Sequence, residues 1–196
     1  MCESILFCRY IKTNNKKTEV IVMILGGWNV KVNTEGMPQE VATAFGALCE
    51  MVGAEYKFIA YLGDQMANGI NHALLCEQTL ITGRDVKNIV LVTFRQTKEG
   101  TALSSIERVV SGGDVLGGVD VDAKVKIPDV AMEAFNKAFE GFVGSDVKPF
   151  ALLATQITSG IKFIFAAESA TVSETPVPKI VVVSVDGKAV DFTDVI

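Results

Sequence analysis

Gln65-Met66-Ala67-Asn68-Gly69 returns later in the chain as Gln156-Ile157-Thr158-Ser159-Gly160, at an offset of 91 residues. The same offset, drifting by one or two, lays Gly26-Gly27 on Gly117-Gly118, Pro38 on Pro128 and Ala44-Phe45 on Ala134-Phe135. It also lays Gly53 on Gly144, Lys57 on Lys148 and the apolar run 89–92 on the run 180–183. One such match is cheap, but a series kept in one order along the chain marks a duplicated unit. The seam is the turn-rich Ser111-Gly112-Gly113-Asp114. The copies are therefore read as residues 23–111 and 112–196, preceded by an extension over 1–22. That extension carries the apolar Ile5-Leu6-Phe7 before Arg9, Lys12, Lys16 and Lys17, the reverse of the order in a secretory signal. It is expected to be poorly ordered, with Met23 as the natural start.

Each copy opens on alternation. Trp28, Val30 and Val32, and later Val119, Val121 and Ala123, alternate with polar residues as strand residues do. Pro38 and Pro128 mark helix starts, where a fixed φ and a missing donor cost nothing. Val41, Phe45, Leu48 and Val52, and then Ala131, Phe135, Ala138 and Phe142, recur at helical spacing and define one apolar face. Gly53 and Gly144 are read as the helix ends. Four strands follow in each copy, over 55–64, 70–80, 88–95 and 102–109, and over 146–155, 161–170, 179–185 and 189–195. Asp186-Gly187 is a strong hairpin signal between the last two. The predicted class is α+β: two tandem domains, each one helix packed on a curved antiparallel sheet of four to five strands.

The formal net charge of −5 gives no basic footprint for nucleic acid. No run of 18 apolar residues offers a membrane span. All four cysteines, Cys2, Cys8, Cys49 and Cys76, precede residue 77, so the copies share no disulfide framework, which favours a reducing compartment, the cytoplasm. Cys49 and Cys76 sit in apolar patterns and read as buried thiols. His72 is the only histidine and reads as a half-exposed strand residue. Zinc-ligand spacing, a phosphate-binding glycine loop and EF-hand spacing are missing, so no catalysis, metal or cofactor is expected. Trp28 reads either as a contact anchor or as a core residue of the first strand.

This order of elements, with paired glycines ahead of the first strand and a Gln-x-x-x-Gly hairpin, resembles the cystatin superfamily over nearly all of both copies. Met23-Ile24-Leu25-Gly26-Gly27 is similar to the start of its intracellular stefin branch. The resemblance implies a reversible inhibitor of papain-like cysteine peptidases. Such inhibitors fill the active-site cleft with a glycine-hinged N-terminal segment and two hairpin loops. Carried onto this chain, the peptidase-binding residues would be Gly26, Gly27, Gln65, Met66, Ala67, Asn68 and Gly69 in the first copy. In the second they would be Gly117, Gly118, Gln156, Ile157, Thr158, Ser159 and Gly160. The family's middle valine is Ala67 in one loop and Thr158 in the other. The second loops, Thr97-Lys98-Glu99-Gly100 and Asp186-Gly187-Lys188, carry no Pro-Trp pair. The alternative is a non-inhibitory protein- or ligand-binding module. Exchange of a hairpin between chains, hinged at Gly69 or Gly160, would give a domain-swapped homo-oligomer.

Overall fold

The computed structural model describes residues 7–14, 17–24, 26–81, 85–113, 117–173 and 176–196, with side chains described from residue 26 onward, Asp85 excepted. Cys2, Ile5, Leu6, Lys16, Leu25 and Asp114, named above, lie outside the described residues.

A first antiparallel pair, β1 (Phe7–Asn14) and β2 (Lys17–Ile24), occupies the stretch read as an extension. The first copy then runs β3 (Trp28–Asn33), α1 (Gln39–Cys49), β4 (Ala54–Ala67), β5 (Gly69–Ile81), β6 (Asp85–Gln96) and β7 (Thr101–Ser111). The second runs β8 (Val119–Lys124), α2 (Asp129–Ala138), β9 (Ser145–Ile157), β10 (Ile161–Thr171), β11 (Pro178–Asp186) and β12 (Ala189–Asp194). Each set of five strands forms one antiparallel sheet in meander order, β3-β4-β5-β6-β7 and β12-β11-β10-β9-β8.

Both helices start where proline dictates: Pro38 and Pro128 are the N-cap residues, and each carbonyl accepts from the amide four residues on, Ala42 and Met132. They end earlier than the glycines suggest, at Cys49 and Ala138. Val52, read as part of the first helix face, lies beyond that helix and is fully exposed, and Phe142 is likewise beyond α2 and exposed. Gly53 and Gly144 instead open the strands β4 and β9. Their carbonyls accept from Ile81 and Val172, closing the far ends of the two long hairpins at equivalent points.

The packing corrects the predicted class. Two separate helix-on-sheet domains of the cystatin kind are not what forms. Among the described residues the chain is mostly β, with two five-stranded sheets stacked as a sandwich and two short helices on the outside. One continuous core lies between the sheets. Ile59, Leu62, Leu75 and Ile89 from the first sheet meet Val121, Leu153, Ile164 and Ile180 from the second. The opposite faces carry smaller cores. Val41 and Leu48 of α1 pack on Leu74, Val90, Val92 and Phe94. Ala131 and Phe135 of α2 pack on Leu152, Phe165, Val181 and Val183.

The physical reason is legible in the burial of the strands. A sheet with one wet face alternates apolar and polar; a strand covered on both faces is apolar without interruption. The runs 59–62, 73–76, 89–92, 151–154, 163–167 and 180–183 are buried at every position. One short helix cannot cover both faces of such strands, so the second face of each sheet needs the other sheet. The contacts follow an approximate two-fold exchange. β3 lies against β11, and its counterpart β8 lies against β6, the counterpart of β11.

Within this interface Glu77 is nearly fully buried. Its carboxylate accepts the Ala123 amide of the other sheet at 3.0 Å and pairs with Lys87 Nζ at 3.1 Å. Both carboxylate oxygens are thus engaged, which a buried charge requires. The hydrogen bond to Glu77, and then its charge, raise the Lys87 pKa above the ordinary lysine value. A raised lysine pKa adds stability while the amine is protonated, and that contribution disappears as pH climbs through the folded-state value.

Two predictions follow from this core. Leu75→Ala and Leu153→Ala, one in each sheet, should each lose about 2–5 kcal/mol in urea unfolding, because each leaves a cavity between the sheets. Lys87→Met should be less stable than the parent at neutral pH, and the gap should close above the ordinary lysine range. A pH series of thermal midpoints checks this, and a gap that persists at high pH would contradict the ion-pair account.

Candidate functional site

The β4–β5 and β9–β10 hairpins carry the residues singled out in the sequence. In both copies the tip is exposed: Met66, Ala67 and Asn68 in the first, Ile157, Thr158, Ser159 and Gly160 in the second. The glutamines at their bases are half-buried and point back into the fold. Gln65 Nε2 donates to the Gly26 carbonyl at 2.9 Å, and Gln156 Nε2 donates to the Gly117 carbonyl at 2.8 Å. Gly26 and Gly117 both take positive φ, 84° and 81°, which a side chain would resist. Gly27 and Gly118 follow as the half-buried step into β3 and β8. The structure therefore brings each Gln against its glycine, as a brace that fixes the entry to the first strand of each copy.

Each tip is also tied to the next hairpin. Arg95 Nε donates to the Asn68 carbonyl at 3.0 Å, while Thr158 Oγ1 donates to Asp186 Oδ2 at 3.3 Å. Arg95 and Asp186 occupy equivalent positions in the two copies. The two tips do not share one edge of the molecule. Gly69 abuts Gln96 at the β6–β7 end of the first sheet. Gly117, by contrast, follows a linker bonded to Lys87 at the opposite end of that sheet, through Gly112 N–H to the Lys87 carbonyl and Gly113 N–H to the Val119 carbonyl.

His72 is buried, not half-exposed. Its Nε2 lies 3.0 Å from Gln96 Oε1 and its Nδ1 lies 3.0 Å from the Tyr61 hydroxyl. With Gln96 Oε1 as acceptor, Nε2 carries the proton and Nδ1 accepts from Tyr61. Burial, and secondarily the charge of Asp64, push the Tyr61 hydroxyl pKa well up. The second copy has Leu152 and Phe163 at the positions of Tyr61 and His72, so this chain of polar groups belongs to the first copy alone. Its groups pair with one another. Cys76 is buried, and burial raises its thiol pKa; Cys49, read as buried, is exposed at the end of α1. Trp28 packs against the inter-sheet core, which resolves its two readings in favour of the core. Among the described residues, no three His, Cys, Asp or Glu side chains gather as a metal site, and no helix is long and apolar enough to cross a membrane.

A feature that sequence reading missed lies at the β7 edge. Three sheet edges, β3, β8 and β12, are six residues long each, whereas β7 runs eleven. β7 is the last strand of its sheet, so one side of its backbone is without a strand partner among the described residues. Beside it run two adjoining grooves that share Thr101, Ala102 and Leu103. One, of about 330 Å³, is bounded by Arg95, Thr97 and Glu99; the other, of about 180 Å³, by Ala44, Ala47, Leu48 and Met51 of α1 and its end. Leu103, Ile106 and Met51 are exposed there. In the sequence this strand reads as 102–109, about as long as its counterpart at 189–195, so no length difference signals it.

No family model, curated protein or solved structure matches this chain.

The two tips should differ in tolerance to substitution. Gly69 has φ +106°, and a Cβ there would stand 2.5 Å from the Gln96 carbonyl oxygen; a Cβ on Gly160 meets nothing within 4 Å. Gly69→Ala should cost more than about 1 kcal/mol in chemical denaturation, and Gly160→Ala should stay within about 0.5 kcal/mol of the parent. Equal effects would contradict the close approach at Gly69.

Proposed function

We propose that this chain is a non-catalytic polypeptide-binding module of a reducing compartment such as the cytoplasm, and that it binds along the β7 edge of the first sheet. The observation that carries this reading is an eleven-residue edge strand, one side of whose backbone has no strand partner among the described residues, flanked by an apolar groove against α1. An extended segment can add to such an edge through main-chain hydrogen bonds and seat alternate side chains in the groove. Open edges are hazards that folds ordinarily shorten, charge or cover. Here the edges β3 and β8 are six residues long, whereas β7 runs eleven. The free thiols of Cys49 and Cys76 fit the reducing compartment.

A selection from a library of extended peptides tests the reading. Selected peptides should slow amide exchange along Thr101–Ser111, and Leu103→Lys should abolish their binding. Protection confined to other strands, or no binder at all, would refute it.

A second reading rests on the exposed tips, Met66 to Asn68 and Ile157 to Gly160, which the Gln–Gly braces anchor at their bases. A rigid tip loses little entropy on docking and suits the inhibition of a papain-like peptidase. With the tips at opposite ends of the first sheet, each would act alone. Titration of papain with the intact chain decides: stoichiometric loss of activity supports this reading, and full activity at micromolar protein excludes it.

A further inference from the structure

We infer that the β7 edge takes an antiparallel partner segment bearing, consecutively, an acidic, a basic and an apolar residue; this rests on the edge-binding reading above. Directly paired residues of neighbouring antiparallel strands share a face. Arg108 pairs with Val90 and Ile106 with Val92, so both lie on the α1 face of the sheet. Glu107 pairs with Leu91, a member of the inter-sheet core, and so lies on the other face. All three are exposed, and neither charge forms an ion pair with a described residue. Among the described residues, Glu107 accepts the Ser105 hydroxyl alone, at 3.2 Å. An incoming strand would therefore place a carboxylate opposite Arg108, an ammonium or guanidinium opposite Glu107, and an apolar side chain opposite Ile106. The next apolar position reaches Leu103 and the groove lined by Ala47 and Met51. Every strand pair in the described fold is antiparallel, which sets the direction of the reading.

A second copy of this edge does not meet that demand. A two-fold axis normal to the sheet brings β7 against itself and keeps each side chain on its own face. Glu107 and Arg108 are the only charged residues of β7, and they lie on opposite faces, so no register of self-pairing sets one against the other. Registers centred on either residue oppose like charges, which is destabilising. The charge pattern thus favours a foreign strand of complementary charge over a second copy of this edge.

The test uses the intact chain and two fluorescein-labelled peptides, Thr-Thr-Asp-Lys-Val-Thr-Val-Thr and its charge-swapped form Thr-Thr-Lys-Asp-Val-Thr-Val-Thr, with anisotropy read at low ionic strength. Two cross-strand charge pairs predict about 3- to 10-fold tighter binding of the first peptide, with the margin shrinking as salt is added. The chain carrying E107K and R108E together should reverse the order. Equal affinity of both peptides for the parent chain, with β7 amides protected, overturns the charge pattern and leaves the edge-binding reading standing. Failure of both peptides to bind or to protect β7 overturns both. Concentration-dependent dimers with protected β7 amides would show that a second copy takes the edge, against the inference.

Discussion

The stacking of the two sheets is the constraint on which the remaining structure depends. Strands β4, β5, β6, β9, β10 and β11 are apolar on both faces over their central residues. A helix of ten or eleven residues covers only part of one face. The uncovered face of each sheet would be a large wet apolar surface in isolation, and burial of a single Leu or Ile from it contributes roughly 1.5–3 kcal/mol. Each copy thus supplies the other with a missing layer. The duplication has made a molecule in which two equivalent modules cover each other, with the helices left on the outside. Glu77 shows how closely the layers are matched: a buried carboxylate of one sheet holds a backbone amide of the other.

Much of the local structure was legible in the chain. The repeat, the proline-led helix starts and the strand sequence of each copy came from periodicity and turn chemistry, which act over short distances. The layer arrangement was not read, although its signal was present. The runs at 59–62, 89–92 and 180–183 break the alternation expected of a half-wet sheet, and treating each copy as self-sufficient left their second faces without a partner. The helix ends were misplaced for a related reason. Gly53 and Gly144 invite a helix-cap reading, but their carbonyls close the long hairpins instead.

The site tells a similar story. Gln65 and Gln156 were picked out because they recur, and they do act alike, yet their side chains face inward to Gly26 and Gly117. Recurrence in both copies here reflects a shared architectural brace. The differences between copies are more telling about function. Leu152 and Phe163 stand where the first copy has Tyr61 and His72. A pairwise match of residues discards such differences, because it scores only what is the same.

Native-state hydrogen exchange tests the central claim most directly. The amides of Val90, Val92, Val181 and Val183 lie in the two sheets, all of them buried. If one shared core holds the sandwich, their opening free energies should converge on a single value as denaturant is raised, since neither sheet can open alone. Two separate limiting values, one for each copy, would show that the copies fold independently and would contradict the account.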